Sequence, residues 1–242
     1  IGGFEEGLKG AKLKHKVVFA SELDEHAKKS YIANFNGKYL NGDIKKIDEK
    51  DIPEHELLLA GFPCQAFSIA GRQKGFEDIR GTLFFDVARI LQEKKPKYIL
   101  LENVKNLISH DGSKTIRVIL NILNEIGYTV DFTIINSAES GVPQNRDRTY
   151  ICGVYLGDSE KYRADKRSVK VDALKQELNK TEYKGFNFFD KVVFNNKQTY
   201  IEDILETEVD SNYFLNSELV ETFVKNTVIE ETVEREDKII KL

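Results

Sequence analysis

Leu57-Leu58-Leu59-Ala60-Gly61-Phe62-Pro63-Cys64-Gln65-Ala66-Phe67-Ser68 is the stretch that decides the fold. A short apolar run closed by Gly and Pro reads as a buried strand over residues 57–60 that runs out into a loop. In an open α/β sheet, ligands bind at the carboxyl ends of strands. Cys64 therefore stands where chemistry is usually done. Pro63 fixes its own φ and biases Phe62 toward extended backbone, so the chain that aims the thiol is stiff. A lone Cys is more often a small buried hydrophobe than a nucleophile, and the surrounding segments have to decide between the two.

Outward from this stretch, strand and helix patterns alternate. Residues 16–20, 57–60, 98–101, 128–136 and 149–154 read as strands from their apolar and β-branched runs. Residues 24–34 read as a helix with Asp24 as N-cap. Residues 82–93 place Leu83, Phe84, Val87, Ile90 and Leu91 at helical spacing, and residues 115–126 do the same with Ile116, Ile119, Leu120 and Leu123. Gly127 closes the second of these as a C-cap. Such alternation predicts an α/β fold with a mostly parallel, helix-covered sheet over residues 1–155. After Tyr155 the pattern loosens, and a boundary is expected near residue 156. Residues 161–170 form a basic run that reads as a solvated loop, and residues 174–178 as a short helix.

The chain has 242 residues, 40% hydrophobic and 31% charged, with a net charge of −4. That suits one large globular domain plus the start of a second. No apolar stretch is long enough for a membrane helix, and no signal peptide is visible. Two cysteines far apart make no disulfide framework, so a reduced, cytoplasmic setting is the expectation. No Cys/His cluster has metal-ligand spacing. The absence of Met and the opening Ile1-Gly2-Gly3-Phe4 suggest a piece of a longer protein. Residues 1–155 carry 22 basic against 21 acidic residues, and residues 156–242 carry 14 against 19. The acidic excess of the second part disfavours a phosphate backbone there.

Candidate site residues fall at strand ends. Gly2-Gly3 ahead of a helical segment would let a ligand approach the backbone. Glu22, at the end of the strand over residues 16–20, lies about 20 residues further on, the usual spacing for an acid bonding ribose hydroxyls. Asp43 is another acid at a probable strand end. Glu102-Asn103-Val104 follows the strand over residues 98–101, at a sheet end equivalent to that of Cys64. A carboxyl group there can serve as a proton donor when burial raises its pKa. Arg146 and Arg148, at i and i+2, project from one face of an extended segment. They could grip a carbonyl oxygen, hold Glu102 or favour the thiolate.

Gly-Phe-Pro-Cys-Gln-Ala-Phe-Ser, Glu-Asn-Val and Gln-Asn-Arg-Asp-Arg, in this order and each beside a strand, resemble the DNA cytosine-5 methyltransferases of bacterial restriction–modification systems. The resemblance covers residue 1 to about residue 155, including Arg80-Gly81-Thr82-Leu83-Phe84-Phe85 and Gly141-Val142-Pro143. It implies a Rossmann-like S-adenosylmethionine-dependent fold, with residues 156–242 connecting toward a target-recognition domain. It implies Cys64 as nucleophile, Glu102 as partner of cytosine N3, and Arg146 and Arg148 around a flipped base. Gly2, Gly3, Phe4, Glu22, Leu23, Asp43, Ile44, Gly61, Pro63 and Leu83 would line the S-adenosylmethionine site. Gln65, Ser68, Arg72, Arg80 and Asn103 would face the DNA, and residues 70–81 would form a lid. The implied partners are duplex DNA and a cognate restriction endonuclease, with a monomeric full-length protein, no metal and no membrane. The family's first motif opens with Asp-Leu-Phe-x-Gly ahead of the residues matched by Ile1 to Phe4, and its recognition domain and last two motifs lie beyond the part matched here. A transfer-RNA cytosine-5 methyltransferase and a non-catalytic methyltransferase-like subunit are the alternative readings.

Overall fold

The computed structural model describes residues 2–63, 83–194, 199–210, 216–219 and 221. Two compact units divide the chain, residues 1–199 and 200–242. In the second, the described residues include a turn at Ile201–Asp203, closed by the Asp203 carboxylate accepting from the Tyr200 amide at 2.8 Å, and helical residues 217–219.

The first unit holds the sheet. Strands β1 (Ala20–Ser21) and β2 (Leu40–Asn41) form a short parallel pair. Strands β3 (Leu57–Gly61), β4 (Tyr98–Val104), β5 (Tyr128–Asn136) and β6 (Asp147–Tyr155) form a second sheet in the order β3-β4-β6-β5. β3 runs parallel to β4, while β6 runs antiparallel to both β4 and β5. Three of the four strands thus point one way, and β6 is the reversed strand between two of them. The expected mostly parallel sheet is present in this form.

Helix α1 spans Gly3–Gly10 and α2 spans Glu25–Asn34. As expected, Asp24 caps α2, its carboxylate accepting from the Ala27 amide at 2.7 Å. Helices α3 (Leu83–Lys94) and α4 (Lys114–Ile126) present the periodic residues of the sequence pattern to the sheet. Phe84, Leu91, Ile116, Ile119, Leu120 and Leu123 are fully buried against Ile99, Leu101 and Ile151. Gly127 ends α4 at φ 116, a left-handed value that favours glycine.

Three expectations are corrected. The strand expected over residues 16–20 is reduced to Ala20–Ser21, because no described strand offers residues 16–19 a backbone ladder and a strand needs one. The basic run over residues 161–170 is not simply a solvated loop. Arg163 pairs with Asp190 at 2.9 Å, Arg167 donates to the Phe189 and Val192 carbonyls, and Tyr162 is buried. The short helix expected at residues 174–178 is longer, α5 at Val169–Leu178.

Residues 157–194 are held to the sheet by Tyr162, Val171, Leu174 and Leu178 in the core and by a buried charge cluster. The Lys175 ammonium on α5 lies 2.7 Å from Asp131 on β5 and 3.4 Å from Asp165, with all three side chains at most 4% exposed. Residues 184–186 then cover the free edge of β5, where the Val130 amide donates to the Lys184 carbonyl and the Phe186 amide to the Val130 carbonyl.

Candidate active site

Glu102, expected after the strand, lies within β4, two residues before its end, beside Gly61, the last residue of β3 and its register partner. Gly61 lies three positions ahead of Cys64. A side chain at Gly61 would place its Cβ 3.3 Å from Glu102 Oε2, so glycine here leaves the carboxylate its space. On the other flank β6 brings Arg148 alongside. Its Nε lies 2.9 Å from Glu102 Oε1, with the side chains 20% and 26% exposed. Of the three roles open to the arginines, Arg148 takes that of holding Glu102. Arg146, one pleat earlier, is exposed and has no ion-pair partner among the described residues. The pair fixes one carboxylate oxygen and leaves Oε2 on the Gly61 side.

Tyr150 was not anticipated as part of this face. It is the register partner of Glu102, and the period of two from Arg146 and Arg148 is the signal that points to it. Burial, and then the nearby Glu102 charge, push its phenol upward. At the start of β6, Asp147 is held below the ordinary carboxylate range by a hydrogen bond from Lys105 at 2.6 Å and another from Asn136 at 2.9 Å.

Asn103 is 1% exposed. Alternation along β4 turns it to the covered face with Ile99 and Leu101. Its Nδ2 donates to the Phe62 carbonyl at 2.7 Å, and its Oδ1 accepts from the Val104 amide at 2.8 Å. Asn103 therefore ties the end of β4 to the residue two positions before Cys64. Replacing it by Ala should cost about 1–3 kcal/mol by leaving buried backbone groups unpaired. In a methyl-transfer assay with parallel urea unfolding, kcat should fall while donor binding persists.

The residues expected around a methyl donor fit an adenosyl group in their chemistry. Gly2 adopts φ 73 as N-cap of α1, and a Cβ there would sit 2.1 Å from the Phe35 ring, so only glycine is accommodated. Gly3 is exposed in the same turn and Phe4 half-buried behind it. Glu22 follows β1 and turns Oε1 back onto the Leu23 and Asp24 amides at 2.8 and 3.0 Å. Asp43 follows β2 and turns Oδ1 onto the Lys45 amide. Each carboxylate keeps one oxygen with no protein donor among the described residues, as acceptors for hydroxyl or amine groups must. Leu23 is exposed, and Ile44 and Leu83 are half-buried. Pro63 is exposed beyond Gly61. Cys64, Gln65, Ser68, Arg72, Arg80 and the lid segment over residues 70–81 lie outside the described residues. No group of three or more His, Cys, Asp or Glu side chains able to hold a metal ion occurs among the described residues. No described helix is long and apolar enough to cross a membrane.

The fold recurs in a solved Dnmt2 methyltransferase from S. pombe, which matches 93% of this chain and 62% of its own at a TM-score of 0.61 and 22% identity. The fold is thus the Rossmann-like methyltransferase fold. A family model described as C-5 cytosine-specific DNA methylase matches residues 1–240. Type II methyltransferase M.SsoII of Shigella sonnei is 47% identical over 203 residues, 84% of this chain and 47% of its own length. Orphan methyltransferase M.SPRI of Bacillus phage SPR is 42% identical over 231 residues, 93% of this chain and 52% of its own. The chain belongs to the C-5 cytosine-specific DNA methylase family. It spans about half the length of the curated relatives it matches.

Proposed function

We propose that the full-length protein transfers a methyl group from S-adenosylmethionine to C5 of cytosine in a specific duplex DNA sequence. The observation that carries this reading is the Glu102 carboxylate, gripped by Arg148 near the end of β4 and in register with Gly61, three residues ahead of Cys64 in the chain.

Cytosine C5 is too weak a nucleophile to take a methyl group unaided. Addition of the Cys64 thiolate to C6 makes C5 enamine-like and divides one hard step into easier ones. Glu102 hydrogen-bonds or protonates N3 and so absorbs the charge that develops in the ring. Arg148 holds that carboxyl group in place. S-adenosylmethionine, when bound, supplies the methyl group on a sulfonium centre. Gly2, Gly3, Phe4, Glu22, Leu23, Asp43, Ile44, Gly61, Pro63 and Leu83 would hold it, with the free oxygens of Glu22 and Asp43 accepting from ribose and adenine. Once C5 is methylated, loss of its proton and elimination of Cys64 restore the aromatic ring. The target base has to leave the duplex to meet a residue at the sheet end. Gln65, Ser68, Arg72, Arg80 and Arg146 supply the polar and cationic groups for the flipped base and the phosphates, and residues 70–81 close over them as a lid. We infer a monomeric cytoplasmic protein that works beside a cognate restriction endonuclease, with residues 156–242 leading toward the recognition domain.

Tritiated methyl transfer by the full-length protein, measured on duplex DNA and on transfer RNA, tests the reading. Incorporation into duplex DNA is expected, and incorporation into transfer RNA alone would replace the DNA reading. Glu102→Gln keeps the shape but loses the acid, and should lower the rate on DNA by about 100- to 1,000-fold. Binding of S-adenosylhomocysteine by the same variant should be unchanged.

A further inference from the structure

The proposed donor residues Asp43 and Ile44 lie on a segment with few attachments of its own. Strand β2 is two residues long and pairs only with β1 among the described residues. The turn at Ile44–Lys46 is a single 3-10 turn, capped by Asp43 itself. Among the described residues, its hydrogen-bonded tie to α3 runs through Arg89. Arg89 Nη2 donates to the Ile44 carbonyl at 2.7 Å, Nη1 donates to Glu49 at 2.6 Å, and Nε donates to Asp86 at 3.1 Å. The guanidinium side chain is one-quarter exposed, with 25% of its surface open. One turn further along α3, Lys94 donates to the Lys50 carbonyl at 3.1 Å and to Glu54 at 3.2 Å.

We propose that Arg89 is a positioning residue of the methyl-donor site. This rests on the reading of Asp43 and Ile44 as donor-binding residues. The planar fork reaches three acceptors at once, one of them the backbone oxygen of Ile44, and so sets the Asp43–Ile44 turn against the helix that begins at Leu83. A turn held in its binding geometry does not have to be ordered by the ligand, and that ordering cost otherwise subtracts from affinity. Glu102 stands on β4 and is held by Arg148, not by Arg89. Loss of Arg89 therefore weakens donor binding while leaving the chemistry on a bound base intact. Glu49 is the control, because Glu49→Gln keeps an acceptor for Nη1 and leaves the Ile44 bond alone.

The test is calorimetric binding of S-adenosylhomocysteine to the full-length protein, with kinetics and thermal unfolding in parallel. Arg89→Met should bind about 10-fold more weakly, while Glu49→Gln stays within about 3-fold of the parent. For Arg89→Met the KM for S-adenosylmethionine should rise in step, and kcat at saturating donor and the KM for duplex DNA should stay within about 2-fold. Parent-like affinity in Arg89→Met, with only a lower unfolding temperature, would overturn the proposal and leave Arg89 a purely structural bolt. Should the Met variant fail to fold, Arg89→Lys decides. Its single ammonium cannot span the three acceptors, so weaker binding is expected, and parent-like affinity overturns the proposal. A parent protein that binds no S-adenosylhomocysteine would instead remove the donor reading on which the inference stands.

Discussion

Full-length protein carrying Cys64→Ser is expected to transfer no measurable methyl group to duplex DNA, a loss of roughly 10,000-fold or more. The substitution changes one atom. It keeps the size of the side chain and the Pro63 backbone that aims it, so binding of donor and DNA should survive. What disappears is the thiolate. A free thiol titrates at about 8.5 and yields a usable anion near neutral pH, whereas a serine hydroxyl does not ionise there without a strong base beside it. The described carboxylate of the site, Glu102, is held by Arg148 at 2.9 Å and is assigned to the base rather than to the nucleophile. S-adenosylhomocysteine affinity close to the parent's, measured on the same preparation, would show that the site is intact. Wild-type turnover in the Ser variant would end the covalent mechanism.

Lys175→Met should lower the unfolding free energy by about 3–5 kcal/mol, the cost of leaving buried charge without its partner. The ammonium lies between two carboxylates that are 1% and 2% exposed. Asp131 would keep the amides of Phe132, Phe188 and Phe189, and Asp165 would keep the Thr133 hydroxyl and the amides of Arg167 and Ser168. Those neutral donors soften the loss but do not balance two negative charges. The same contacts join α5 and the segment near residue 188 to β5, so residues 157–194 should loosen first. Urea unfolding of the full-length protein reads the loss, and amide exchange reads where it begins. Lys166→Ala, an exposed neighbour, should stay within about 0.5 kcal/mol. Equal midpoints for the two variants would show that the cluster adds nothing to the attachment.

The legible part of this protein is its local part. Helical spacing in α3 and α4 marked the residues that are buried, because a face at period 3.6 can only meet a core. Gly61-Phe62-Pro63 marked the end of β3, because Gly and Pro punctuate a strand wherever it lies. Residues 16–20 were misread for the opposite reason. Val17, Val18 and Phe19 have strand composition, but composition supplies no partner, and β1 forms only where Leu40 and Asn41 run alongside. Asn103 shows the same limit across a sheet. Alternation separates it from Glu102 by one face, but which face the helices cover is a property of packing, and it set the Asn103 amide against the Phe62 carbonyl.

The amino-acid order by itself marked the groups proposed for the strand-end chemistry, a thiol, a carboxyl group and two guanidiniums, through short-range signals. Only the tertiary structure decided which guanidinium meets the carboxyl group. It also decided that Arg89 reaches back 45 residues to Ile44 and that Lys175 neutralises two acids from distant segments. Propensity and periodicity act over a few residues. Pairing between charges far apart in the chain depends on register and on the exclusion of water, and neither exists until the sheet and its helices have closed together.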